Sequence, residues 1–225
     1  MEKHMSDKGP VVIVGYGPGV GAALAEAFGR EGHPLALIAR DASKLRQAVE
    51  ALQREGRTAT SAVADAGDDG ALSTALQTVT DTLGHAQILV YNAAHRRPGP
   101  VLETTPAALV DDFRLDVVGA LVATQALSPA MIARGGGTLL FTGGGLALHP
   151  SPQAPSLSIG KAGLRALALM LAHELAPAGI RVGTVTIAGM VAPGTAFAPQ
   201  RIAEAFMALH RGAPDPSTAE IVFRG

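Results

Sequence analysis

Apolar residues fall along this chain in two alternating rhythms. Short runs rich in valine, isoleucine, leucine and alanine occupy 11–14, 34–39, 58–64, 87–91, 138–142, 181–187 and 220–223. Between them apolar positions return every three to four residues, as in Val20, Ala23, Leu24, Ala27 and Phe28, the spacing that lays a stripe along one helix face. The pattern predicts helices over 20–30, 42–55, 69–83, 106–133, 156–176 and 199–210. Strand alternating with helix requires crossover connections, and right-handed crossovers give a doubly wound α/β domain. The expected core is a mostly parallel seven-stranded sheet, whose strands are covered on both faces and so read as continuous apolar runs. No solenoid repeat or linker divides the chain. Residues 1–9 read as a loose polar tail and 10–225 as one domain.

Composition narrows what that domain can be. A chain of 225 residues, normal for one α/β domain, buries a full core without crosslinks. Its hydrophobic content of 48% raises the question of a membrane span. The uncharged stretches 135–160 and 182–200 are broken by glycine and proline, and 117–133 is short and carries Thr124, Gln125, Ser128 and Pro129. None is expected to supply the ~20 predominantly apolar residues of a span. The lack of cysteine excludes thiolate nucleophiles, disulfides and zinc–sulfur sites. It fits a reducing compartment, and with a polar start that lacks the apolar core of a signal peptide the expectation is a cytoplasmic protein. A formal charge of −1 gives no electrostatic case for nucleic acid or an anionic membrane. No metal site is expected.

The candidate chemistry begins at Gly15-Tyr16-Gly17-Pro18-Gly19-Val20-Gly21, which follows the run 11–14 and opens a helix. Phosphate beside a helix start needs backbone N–H groups and no Cβ in the way. Gly15 permits the tight turn, Gly19 close approach, and Gly21 packing of helix on strand. This context makes the domain Rossmann-type and predicts a dinucleotide cofactor. The residue ending the second strand selects between cofactors, because an acidic side chain there binds free ribose hydroxyls whereas an arginine accommodates a 2′-phosphate. Ala39 occupies that position and Arg40 follows, which favours NADP(H) over NAD(H). Asp41 reads instead as the N-cap of the next helix.

With these features the chain resembles the short-chain dehydrogenase/reductase family over nearly its full length. Tyr91-Asn92-Ala93-Ala94 is similar to the family's Asn-Asn-Ala-Gly segment, Asp65 to its adenine-contacting acid, and Ile180-Arg181-Val182 with Gly189-Met190-Val191 to its sixth strand and nicotinamide turn. Ala188 stands where that turn has proline. The resemblance implies cofactor contacts from Asn92, Ala93, Ala94, Asp65, Gly189, Val191 and Lys161, with Tyr16, Gly17 and Val20 in the loop. It also implies a reaction site of serine, tyrosine and lysine, with an asparagine in the long helix. Here Lys161 is kept, Leu157 replaces tyrosine, Gly144 replaces serine, and Asp116 replaces asparagine.

Leu157 and Lys161 lie one turn apart, which fixes the alignment, and Ser156 and Ser158 point about 100° to either side. Standard carbonyl–alcohol interconversion therefore loses its proton donor, whereas hydride transfer needs only cofactor and a positioned electrophile. Lys161, Asp116 and His149 are the candidate catalytic residues. Asp116 is read as a buried carboxylate facing Lys161, and His149 as an imidazole bordering the pocket, with His95 a weaker rival. The other histidines, His4, His33, His85, His173 and His210, read as tail, turn or surface residues.

The expectation is an atypical NADP(H)-dependent oxidoreductase acting on a small carbonyl, enone or imine. The alternatives are a non-redox cyclase, isomerase or dehydratase in the same pocket, and a non-catalytic cofactor-binding protein. The segment near 190–215 resembles the family's variable substrate lid. A homodimer or homotetramer is expected through Leu121, Val122, Gln125, Leu164, Leu167, Leu171 and Leu175.

Overall fold

Alternation along the first strand sets the layers. In β1 (Val11–Val14), Val11 and Ile13 face one side of the sheet and Val12 and Val14 the other, and all four are buried. The computed structural model describes residues 8–225; 1–7, which hold most of the expected tail and His4, lie outside the described residues. Lys8 pairs with Glu31 at 3.2 Å, and the Gly9 N–H donates to the Gln87 side chain at 2.9 Å.

Six further strands follow: β2 (Leu35–Ala39), β3 (Ala59–Val63), β4 (Ile88–Tyr91), β5 (Gly137–Gly144), β6 (Ile180–Ile187) and β7 (Glu220–Phe223). All pairings are parallel, in the order β3-β2-β1-β4-β5-β6-β7. Helices α1 (Val20–Arg30), α2 (Ala42–Arg54) and α7 (Pro199–Arg211) cover one face through Leu24, Phe28, Leu45, Ile202 and Phe206. Helices α3 (Asp69–Leu83), α5 (Gly119–Arg134) and α6 (Pro155–Leu175) cover the other through Leu72, Leu76, Ala123, Met131 and Leu164. Strand order reverses between β1 and β4, and a ligand crevice opens beyond the carboxyl ends of strands at such a point.

The long helix expected at 106–133 divides into α4 (Pro106–Phe113), a π-helical turn over Arg114–Val118, and α5. Its extra residue per turn shifts the side-chain register at Asp116. The buried Tyr91 hydroxyl donates to the Leu115 carbonyl in this turn. By length and composition the combined helix, with a mean hydropathy of 1.5 in its most apolar window, suffices to cross a membrane, contrary to the sequence count. In this fold it is a covering helix, with Asp112 and Asp116 buried beneath it.

Three other expectations change. Leu164, Leu171 and Leu175 are core residues packed on the sheet, so they offer no surface to a partner, whereas Leu121 is exposed. Helix α7, inside the expected lid, sinks Ile202, Phe206 and Met207 into the core. His33 is buried, and His210 packs edge-on against it and Phe28, so neither is a surface residue.

Candidate active site

The glycine loop is held from behind by β4. Gly15 takes a φ of +81°, and a Cβ there would collide with the backbone of Ala93. Gly17 and Gly19 face open space, with nothing within 4 Å of an added Cβ. Gly19 caps α1 without a side-chain hydrogen bond, which leaves the first N–H groups of the helix for an anion. Asn92 locks the arrangement: its amide donates to the Gly15 carbonyl at 2.8 Å and accepts from the Thr142 hydroxyl at 2.8 Å. At the far end Asp41 caps α2 through Ser43 and Lys44 N–H groups at 3.0 and 3.1 Å. Arg40 lies 3.8 Å from Asp65, both well exposed, beside a cavity of about 380 Å³ that also touches Tyr16, Lys44, Ala93, Ala94 and Leu115.

A second cavity of about 810 Å³ shares Gly17, Pro18, Asn92 and Ala94 with the first. It continues past Gly19, Val20 and Gly21 to Gly144, His149, Leu157, Lys161, Gly189 and Val191. These linked spaces form one groove from Arg40 to Lys161, floored by backbone and small residues, and a dinucleotide fits this shape and donor set. Lys161 is buried, and its ammonium donates to the Thr142 carbonyl at 2.7 Å. Burial pushes its pKa down, against the field of Asp116. Leu157 occupies the wall one turn away, and Gly144 lies beside the lysine stem.

Asp116 is fully buried in the π turn. One oxygen accepts the His95 N–H at 3.2 Å; the other has no hydrogen-bond partner among the described residues and lies where a side chain at Gly160 would fall. Burial raises its pKa to about 6, opposed by Lys161 and reinforced by Asp112. Asp116 and Lys161 thus interact through space, with no direct ion pair between them among the described residues.

Asp112 anchors a cluster behind the site. Its buried carboxylate accepts from Ser156 at 2.6 Å, meets His95 Nδ1 at 2.8 Å, and takes two bonds from Arg97 at 3.2 Å. Burial works to raise its pKa, but the bonds from Arg97, Ser156 and His95 win and hold it at about 2. The cluster ties the loop after β4 to the start of α6.

The short chain dehydrogenase family matches residues 10–202. The chain belongs to this family. Among relatives, human dehydrogenase/reductase SDR family member 4 is 31% identical over 73% of this chain, a match that spans 59% of the human protein's length. A probable galactose dehydrogenase of Rhizobium meliloti strain 1021 is 30% identical over 83% of this chain and 73% of its own. A metagenomic short-chain oxidoreductase solved with NADP superposes with a TM-score of 0.87 at 27% identity, covering 97% of both chains. An NADPH-bound short-chain oxidoreductase of Pseudomonas aeruginosa PAO1 containing an atypical catalytic centre superposes at 0.83 and 27% identity, covering 96% of this chain and 94% of that one.

In this short chain dehydrogenase the expected residues fall into three places. Gly15, Tyr16, Gly17, Gly19, Val20, Gly21, Arg40, Asp65, Asn92, Ala93, Ala94, Lys161, Gly189 and Val191 all lie along the groove. His149 is exposed at the rim of the larger cavity. Asp116 lies behind the wall rather than in it. The Thr142 hydroxyl, two residues before Gly144, is spent on Asn92. His95 faces a polar cavity of about 330 Å³, shared with Arg97, Asp112 and Arg114, which meets the groove at Arg40, Asp65 and Leu115. Asp112 was not foreseen, and only the cover of His95, Arg97 and Ser156 makes it a hub.

Proposed function

We propose that this chain is an NADP(H)-dependent oxidoreductase that reduces a small conjugated enone, imine or activated carbonyl without a phenolic proton donor. The observation that carries this reading is the pairing of a complete dinucleotide groove with an apolar wall at Leu157 and Gly144 beside Lys161. Arg40 and Lys44 flank the end of the groove at Ala39, which supports a 2′-phosphate and hence NADP(H). The glycine loop and the free start of α1 would hold the pyrophosphate, and Lys161, Asn92, Gly189 and Val191 the nicotinamide half. Bound NADPH would supply a hydride to the electrophilic carbon of the substrate.

This chain's residues supply the rest. Lys161 holds a proton at Nζ inside the cavity, and the burial that lowers its pKa makes the ammonium a better acid for a developing enolate or amide anion. Asp116, its pKa raised to about 6 by burial, keeps a second proton close behind it on the acid side of pH 6. His149 stands at the rim to exchange protons with solvent. An iminium substrate needs no proton at all, which relaxes the demand further. In a panel of ketones, enones and imines, NADPH absorbance is expected to fall with the enones or imines and not with simple ketones. Lys161→Met should abolish the reaction, and brisk reduction of simple ketones would refute the proposal.

The same apolar wall favours a second reading, a non-redox cyclase, isomerase or dehydratase, or a non-catalytic binding protein. Product formed without loss of NADPH would decide for the enzyme, and binding without product for the binding protein. We also propose a cytoplasmic homo-oligomer. Val110, Leu121 and Ile159 leave apolar surface on α4, α5 and α6, the kind of patch that marks interfaces. Light scattering should return a dimer or tetramer; a monomer at micromolar concentration would contradict it.

A further inference from the structure

The loop after β4 carries three consecutive cationic or ionisable side chains, His95, Arg96 and Arg97, and the structure divides them. His95 and Arg97 turn to one side, where both end on the buried carboxylate of Asp112. Asp112 is fixed in turn by Ser156 at the start of α6. The segment that carries them is irregular, so the middle side chain can take a different direction from its neighbours. Arg96 lines the larger cavity, while its neighbours line the smaller polar one.

Arg96 has no hydrogen-bond or ion-pair partner among the described residues, unlike Arg40, Arg97 and Arg114, which meet Asp65, Asp112 and Asp69. No aspartate or glutamate lines the cavity it faces. The surrounding wall is apolar at Leu146, Leu157, Met190 and Val191. The position is at the substrate end of the groove: Gly99 N–H donates to the Gln153 carbonyl at 3.1 Å, which stitches the Arg96 loop to the segment carrying His149, Ser151 and Gln153. Arg96 is exposed at the edge of a cavity lined by no acid, so its guanidinium is available to pair with a ligand there.

We propose that Arg96 is a specificity-determining residue that binds a carboxylate on the substrate, so that the molecule taken here has a small apolar body and one acid group. A single guanidinium matches a monoanionic carboxylate bidentately, and the rim offers no further unpaired arginine that a phosphate dianion would call for. The carboxylate stays at the rim, and the apolar body reaches inward along Leu157 toward Lys161. This rests on the reading of the larger cavity as the reaction chamber.

The test uses two non-reducible probes of one shape, 4-phenylbutyrate and its neutral amide, titrated calorimetrically into protein saturated with NADP⁺, so that the glycine loop is filled. The acid is expected to bind about tenfold more tightly than the amide, the low end for a charge-assisted bond because the rim is open to water. Arg96→Gln should weaken the acid to the level of the amide and leave the amide unchanged. Arg96→Lys, which keeps the charge and loses the fork, should retain part of the preference. Equal binding of both probes to the wild type, a preference that survives in Arg96→Gln, or no binding of either probe at millimolar concentration would overturn the proposal. Failure of NADP⁺ itself to bind would instead sink the oxidoreductase reading. The same acid–amide comparison, run on the protein alone, would then still decide the role of Arg96.

Discussion

Gly15 under the glycine loop and Gly160 beside Lys161 both lack room for a side chain, but different things fill the space. At Gly15 the obstacle is the backbone of Ala93, reinforced by a positive φ and by the Asn92 amide on its carbonyl. At Gly160 the obstacle is a carboxylate, Asp116, one position before Lys161. The cofactor end is therefore backbone set against backbone, and its shape does not depend on protonation. The Lys161 side is a buried ammonium and a buried acid separated by packing, and its state depends on pH.

The largest effect should come from breaking the rigid end. Gly15→Ala forces a Cβ into the Ala93 backbone at a φ that alanine avoids. It is expected to cost about 2–4 kcal/mol of stability and most of the NADPH affinity, read by urea midpoint and by titration of NADPH fluorescence. Gly160→Ala meets the buried Asp116 side chain, its Cβ as well as its carboxylate, rather than backbone at a positive φ. It should cost less, about 1–3 kcal/mol, and spare NADPH binding by comparison. Equal losses of affinity in the two variants would remove the distinction between the ends.

The second prediction sharpens the difference through pH. Asp116 has its folded pKa raised from 3.8 to about 6, so its contribution to stability is full below about pH 4 and is lost as pH rises through 6. Asp116→Asn should remove that loss, gaining on the wild type by up to about 3 kcal/mol between those limits. His210 carries the opposite sign. Burial, with His33 and Arg181 nearby, lowers its pKa from 6.5 to about 4, so its neutral form stabilises the fold above 6.5 and that share is lost as pH falls through 4. Denaturation midpoints of Asp116→Asn, His210→Gln and the wild type across this range should show difference slopes of opposite sign. Parallel curves would contradict the placement of both groups.

These effects also mark what the sequence could reveal. The glycine loop and the order of strands and helices are local patterns, contiguous in the chain and dictated by turn geometry and periodicity, and they are legible. The approach of Asn92 to both Gly15 and Thr142 is not legible in the chain, because the partners are 77 and 50 residues apart. Asp112, His33 and His210 have ordinary surface surroundings in sequence, and only tertiary packing buries or half-buries them. The π turn that carries Asp116 gives no signal in apolar periodicity, since the helix continues on both sides.

A smaller effect is expected at the adenosine end. Arg40→Ala should narrow the preference for NADPH over NADH by about tenfold and leave NADH binding nearly unchanged. Calorimetry showing tighter NADH binding by the wild type would reverse the assignment. The smallest effect is expected from Leu157→Tyr, which restores a phenol one turn from Lys161. Simple ketone reduction should rise by less than about tenfold, well short of the 10²–10⁴-fold a positioned acid can give, because Gly144 still offers no hydroxyl to orient a carbonyl. A variant as fast as an ordinary reductase would show that the phenol alone was missing.

The most direct test of the account follows the hydride itself. Protein incubated with NADPH carrying deuterium at the nicotinamide C4 and with a panel of enones, imines and simple ketones should place the label on carbon in an enone or imine product, detected by mass spectrometry, and leave the ketones unlabelled. Bound NADPH with no label transferred to any substrate, or label carried readily into simple ketones, would contradict it.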